Sequence, residues 1–141
     1  MRFRVLSDYS DEFEIKSDPS QIHTVEKKLE RFCAKLRLVK DDIENLGIAT
    51  TEIVNNAIRH GNQSDPEKTV HIKFEKKAKS VRVTVSDSGK GFEPDSLANP
   101  LEPENICKES GRGIFIVKML MDDVKFKFTD TGSQVILIKK L

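Results

Sequence analysis

Apolar and polar positions change period several times along this chain, and each change marks a predicted element. Residues 2–6 and about 11–16 alternate as short strands do. Ser17-Asp18-Pro19 then reads as a helix start with proline in the first turn, and Ile22, Val25, Leu29, Phe32 and Leu36 recur at helical spacing to about residue 37. A second helix opens near Asp41 or Asp42, whose carboxylates suit a helix N-terminus, and runs through Ile43, Leu46, Ala49, Ile53 and Ala57 to a stop at Gly61-Asn62.

Past a polar loop containing Pro66, the segments 70–74 and 81–85 each alternate and predict a hairpin, with a charged turn from Glu75 to Ser80. Beyond Asp87 the period is lost for about 20 residues that include Pro94, Pro100 and Pro103, a length that in a compact domain points to a functional or mobile loop. Gly111 and Gly113 lead into a third, mostly buried helix over 114–121. Strands over about 124–129 and 133–140, joined at Thr131-Gly132, close the chain. The order β, β, α, α, β, β, α, β, β, with no internal repeat or linker, predicts one α+β domain over residues 1–141. It is expected to be a two-layer sandwich, a mixed, mostly antiparallel sheet with about three helices on one face.

Composition narrows the function classes. Of 141 residues, 33% are charged, 24 basic against 23 acidic, for a net charge of +1. That balance gives no general electrostatic reason to expect nucleic acid or an acidic membrane as partner. No apolar run is long enough for a secretory or membrane-spanning segment, so a cytoplasmic location is expected. Cys33 and Cys107 stand far apart without metal-ligand spacing, which argues against a disulfide framework or a zinc site.

Three segments could carry chemistry. In Glu52-Ile-Val-Asn-Asn56-Ala-Ile-Arg-His60, the residues Glu52, Asn56 and His60 fall at i, i+4 and i+8, one polar row on a helix otherwise expected to be apolar there. Asn55 and Asn56 are modest helix formers placed mid-helix without a capping role. Asp87-Ser-Gly89-Lys-Gly91 follows a strand and could be an ordinary turn. Ser110-Gly111-Arg112-Gly113 precedes a helix, where backbone N–H groups can bind phosphate or simply punctuate a loop.

Taken together, the order and spacing of an Asn-bearing helix, an Asp-x-Gly-x-Gly loop and a Gly-x-Gly loop resemble the ATP-binding domain of type II topoisomerases, heat-shock chaperone ATPases, sensor histidine kinases and mismatch-repair ATPases, the Bergerat fold. Within that group the chain is most similar to the small bacterial anti-sigma-factor serine/threonine kinases, over essentially its whole length. The resemblance implies ATP and Mg²⁺ as cofactors. It makes Asn56 the metal ligand, by a side-chain oxygen in an octahedron otherwise filled by phosphate and water.

On the same grounds Asp87 accepts a hydrogen bond from the adenine amino group, a contact that the carbonyl of guanine cannot supply. Gly89 and Gly91 let the backbone pass the base, and Gly111, Arg112 and Gly113 present N–H groups to the phosphates. Arg59, His60, Lys108, Ser110 and Ile114 complete the implied nucleotide-binding set. Glu52 becomes the general base that takes a proton from an attacking hydroxyl.

Glutamate at position 52, where most sensor histidine kinases have asparagine, points to water or a serine hydroxyl as nucleophile. His23, followed by Thr24 rather than an acid, is a poor phosphoacceptor. The resemblance departs at Lys108-Glu109-Ser110-Gly111, where an acid falls at the position of the family's arginine. A carboxylate facing triphosphate is unfavourable, so either Lys108 or Arg112 replaces that arginine or transfer to protein is weak.

The expected function is phosphorylation of a small antagonist protein by a kinase, implied to be a homodimer, that otherwise holds a sigma factor or similar regulator. The lid over 93–110 would couple nucleotide state to partner choice. The alternatives are an ATP-binding module acting by sequestration and a histidine-kinase-like domain acting in trans.

Overall fold

The computed structural model describes residues 9–89 and 109–141. In chain order its elements are β1 (Ser10–Lys16), a 3-10 turn (Pro19–Gln21), α1 (Ile22–Leu36), α2 (Lys40–Asn56), a π-helical turn (Ala57–Gly61), β2 (Thr69–Lys77), β3 (Ser80–Asp87), α3 (Glu109–Leu120), β4 (Asp123–Thr129) and β5 (Gly132–Lys140). The strands form a five-stranded sheet in the order β1-β2-β3-β5-β4, antiparallel at every described pairing. This is the expected α+β sandwich. The strand expected over 2–6, Gly91, Cys107, Lys108 and most of the expected lid lie outside the described residues.

Local sequence explains the helix ends. The Asp18 carboxylate accepts the Ser20 N–H at 3.0 Å and Pro19 occupies the first turn, so the chain enters α1 through a capped 3-10 turn. Arg37, at φ 54°, closes α1 in the left-handed region, its N–H reaching the carbonyls of Ala34 and Cys33. Asp41 and Asp42 lie in the first turn of α2, where the helix dipole favours negative charge.

The other end of α2 differs from expectation. Instead of running as an α-helix to Gly61, the chain widens after Asn56 into a π-turn closed by the Asn62 N–H on the Ala57 carbonyl, 2.8 Å away. The β2–β3 hairpin is also tighter than expected. Its strands continue to Lys77 and from Ser80, leaving only Ala78 and Lys79 in the turn, with Ala78 at φ 51°.

One core joins the layers. Ile15, Val70, Ile72, Phe74, Val81, Val83, Val85 and Leu137 project from the sheet onto Val25, Leu29 and Phe32 of α1, Leu46, Ala49, Ile53 and Val54 of α2, and Val117 of α3, all buried. The alternation of β2 and β3 and the helical spacing of α1 predict these inward positions. Packing therefore fixes α2 across the sheet, with its C-terminal end above the end of β3.

Candidate functional site

Where that end of α2 meets the sheet, the layers part into a cleft. Ile53, Asn56, Ala57 and Gly61 line it from the helix side, Val85 and Asp87 from β3, Ile114 from α3, Phe126 and Phe128 from β4, and Ser133 and Val135 from β5. Strand register brings the sheet residues together, pairing Val85 with Val135, Asp87 with Ser133, Phe126 with Val135 and Phe128 with Ser133. The lining is mostly apolar, and Asn56, Asp87 and Ser133 are its polar side chains.

Asp87 is held from both sides. Its Oδ1 accepts the Gly89 N–H at 2.9 Å and its Oδ2 accepts the Ser133 hydroxyl at 2.8 Å. A carboxylate has about four lone-pair sites, so acceptor capacity remains for a ligand. Burial pushes the Asp87 carboxyl above the usual aspartate range, and the donors from Ser133 and Gly89 oppose that rise without cancelling it.

Two glycines make this arrangement possible. A Cβ on Gly61 would collide with the Asp87 carboxylate, and one on Gly89 would collide with the Gly61 carbonyl. The π-turn and the loop after β3 are thus in backbone contact. Asn62, fully buried, joins them: its Oδ1 accepts the Ser88 N–H at 2.9 Å, while its Nδ2 donates to Ser17 Oγ at 2.8 Å and to the Thr69 carbonyl at 3.0 Å. Sequence reasoning set Asn62 aside as a helix-end residue, because its partners lie far along the chain and leave no local pattern.

Asn56 lines the cleft, and its Nδ2 is buried without a partner among the described residues. Glu52, one turn earlier, lies against the start of α3, where a Cβ on Gly113 would come within 2.5 Å of Glu52 Oε2. The described part of α3 already includes Gly111 and Gly113, which lie in the helix rather than in a loop ahead of it.

The structure brings Glu52, Asn56, Asp87, Gly89, Gly113 and Ile114 around one cleft and its rim. Arg59 and His60 are exposed and do not line the cleft. Arg112 is exposed as well. Phe126, Phe128, Ser133 and Val135, read from sequence only as strand positions, supply much of the wall. For Phe126 and Phe128 the alternation of β4 was the available signal.

A sandwich of this order, with a cleft between an Asn-bearing helix and an Asp-ended strand, defines a nucleotide-site architecture that known proteins share. Residues 15–139 match the histidine kinase-like ATPase domain model, and the chain belongs to that family. Among curated proteins it is 28% identical over 136 residues to the serine-protein kinase RsbW of Bacillus velezensis, covering 92% of this chain and 84% of that protein. It is 34% identical over 115 residues to the anti-sigma F factor of Anoxybacillus flavithermus, covering 78% and 77% of the two chains.

Among solved structures, the RsbU and RsbW domains of a Mycobacterium tuberculosis protein superpose with a TM-score of 0.70 at 17% identity, over 94% of this chain and 32% of that one. The histidine kinase domain of a blue-light activated kinase from Erythrobacter litoralis superposes with a TM-score of 0.57 at 17% identity, over 90% and 62% of the two chains. Among the described residues no helix is long and apolar enough to cross a membrane.

Proposed function

We propose that this protein is an ATP- and Mg²⁺-dependent serine/threonine kinase of the anti-sigma type. It phosphorylates a small antagonist protein and, in the other nucleotide state, holds a sigma factor or similar regulator as a cytoplasmic homodimer. The observation that supports this most is Asp87, fixed at the end of an apolar cleft by Ser133 and Gly89 with acceptor capacity to spare. A carboxylate so placed accepts the exocyclic amino group of adenine and has no donor for the carbonyl of guanine. The relatives named serine-protein kinase and anti-sigma factor support the protein-level activity.

The donor set fits magnesium. No group of three or more His, Cys, Asp or Glu side chains is gathered among the described residues. A cation here would be held by one amide together with phosphate and water oxygens, the manner in which Mg²⁺ is commonly bound. The Asn56 amide nitrogen has no partner among the described residues to pin the group, so its oxygen can be turned toward a cation in the cleft. Asn56 would hold the cation, whose chemistry there would be to offset the charge that develops on the phosphate oxygens.

The protein's own residues do the rest. Asp87 orients the base, and the apolar walls exclude water from it. Glu52, one turn from Asn56, takes the proton of the serine or threonine hydroxyl as its oxygen attacks the γ-phosphorus and the bond to the β-phosphate oxygen breaks, releasing ADP.

The test is calorimetric titration with ATP and GTP, with and without Mg²⁺, followed by transfer assays onto candidate antagonist proteins with Glu52→Ala as control. Loss of transfer in Glu52→Ala with ATP affinity kept within a few-fold supports the kinase. ATP binding with no phosphate reaching any protein replaces it with a sequestration module. Glu109, an acid where the family's arginine falls, favours that second reading, because a carboxylate near triphosphate is unfavourable.

A further inference from the structure

We propose that Asn62 is a positioning residue that sets where Asp87 stands for base recognition. It is fully buried, and both donors of its amide and its oxygen are engaged, by Ser17, Thr69 and Ser88 respectively. The partners leave no choice of orientation: the Thr69 carbonyl can only accept and the Ser88 N–H can only donate, so a flipped amide would face oxygen with oxygen and nitrogen with nitrogen.

What this amide joins gives it a role beyond stability. Its backbone N–H closes the π-turn that shapes one wall of the cleft. Its side-chain oxygen grips the residue next to Asp87, where Gly61 and Gly89 already touch and leave the Asp87 carboxylate its space. The remaining donors anchor the same amide to the end of β1 and the start of β2. Asn62 therefore transmits the frame of the sheet to the loop that carries the carboxylate, and acts on the base only through Asp87.

The role in recognition rests on the proposed ATP site, and the test separates the two. Asn62→Ala removes every side-chain bond. Asn62→Asp keeps an acceptor for Ser88 but loses both donors. Ser17→Ala loosens the anchor without touching the Ser88 bond. ATP and GTP affinities are measured by calorimetry, and exchange of the Ser88 and Gly89 amides by NMR.

In Asn62→Ala, ATP affinity is expected to fall about 10-fold or more, the ATP-over-GTP ratio to narrow by a similar factor, and Ser88 exchange to accelerate about 10-fold, the scale of one lost buried hydrogen bond. Ser17→Ala should lower the melting temperature alone, and Asn62→Asp should keep more discrimination than Asn62→Ala. A folded Asn62→Ala with the wild-type nucleotide ratio and no faster Ser88 exchange than Ser17→Ala overturns the proposal. If Asn62→Ala does not fold, Asn62→Ser, whose shorter side chain cannot reach the Ser88 N–H, takes its place, and the same ratio decides. If wild type binds no ATP, the nucleotide reading fails, and amide exchange still decides whether Asn62 holds the loop.

Discussion

The Asp87 carboxylate occupies the space that a side chain on Gly61 would need. The two residues come from different layers, the π-turn after α2 and the end of β3, so their fit records how closely helix and sheet approach at the cleft. Gly61→Ala forces either the turn or the carboxylate to move. Overpacking of this kind costs about 1–3 kcal/mol. Both the melting temperature and ATP affinity should therefore fall, the affinity about 10-fold or more. In an Asp87→Ala background the same substitution should cost little, and a double-mutant cycle on thermal stability checks this coupling. Additive costs would mean that the turn accommodates the methyl group elsewhere.

Glu52 and Gly113 stand in a similar relation with a different consequence. A Cβ on Gly113 would lie 2.5 Å from Glu52 Oε2 and 3.5 Å from its Cδ, the far end of a flexible side chain that can rotate away. Alanine favours a helix interior over glycine by about 1 kcal/mol, so Gly113→Ala should keep or raise stability. It should still displace the carboxylate from its place beside α3. If Glu52 is the base, phosphoryl transfer falls about 10-fold or more while the ATP dissociation constant stays within a few-fold. An unchanged transfer rate in a well-folded Gly113→Ala would remove Glu52 from the chemistry.

Residues at regular spacing were legible from sequence, and those fixed by contacts across the fold were not. The periodicity of Val25, Leu29 and Phe32, and the alternation of Val81, Val83 and Val85, gave α1, β3 and their buried faces, because burial on one side imposes a local period. Asp87 and Asn56 stood out as polar groups at strand and helix positions, and the structure brings both to one cleft. The π-turn at Ala57–Gly61 leaves no composition signal, since it is stabilised by a backbone bond from Asn62 and by packing of Ala57 and Ile58. Asn62, Ser17 and Ser133 escaped for the same reason: the Asn62–Ser17, Asn62–Ser88 and Ser133–Asp87 hydrogen bonds span 45, 26 and 46 residues of sequence.

Cys33 offers a test of the core independent of nucleotide. It is completely buried on α1, and burial pushes its thiol up to about 11. The thiolate is the reactive species, so at pH 8 both access and ionisation protect it. In the native protein Cys33 should resist iodoacetamide over hours and become modified in denaturant, with peptide mass spectrometry reporting the site. Rapid native labelling would mean that α1 opens from the sheet far more readily than its packing with Phe32 and Leu29 implies.

The raised pKa of Asp87 makes base selection depend on pH, and the sign follows from its cause. Burial penalises the charged carboxylate, so the folded pKa lies above the unfolded one. At neutral pH this is a cost to stability, relieved as pH falls through the folded pKa and gone below the unfolded pKa. Recognition runs the other way. Protonated Asp87 is a weaker acceptor for the adenine amino group and gains an O–H that can donate to the guanine carbonyl. The ATP-over-GTP affinity ratio, in which the titration of the phosphate chain cancels, should fall on acidification with a midpoint above the ordinary aspartate range. Ser133→Ala removes a donor that favours the charged form and should move that midpoint to higher pH. Asp87→Asn cannot titrate and should give a flat ratio. Calorimetry from neutral pH down to the acid limit of the fold measures all three, and a wild-type ratio independent of pH would place Asp87 outside base recognition.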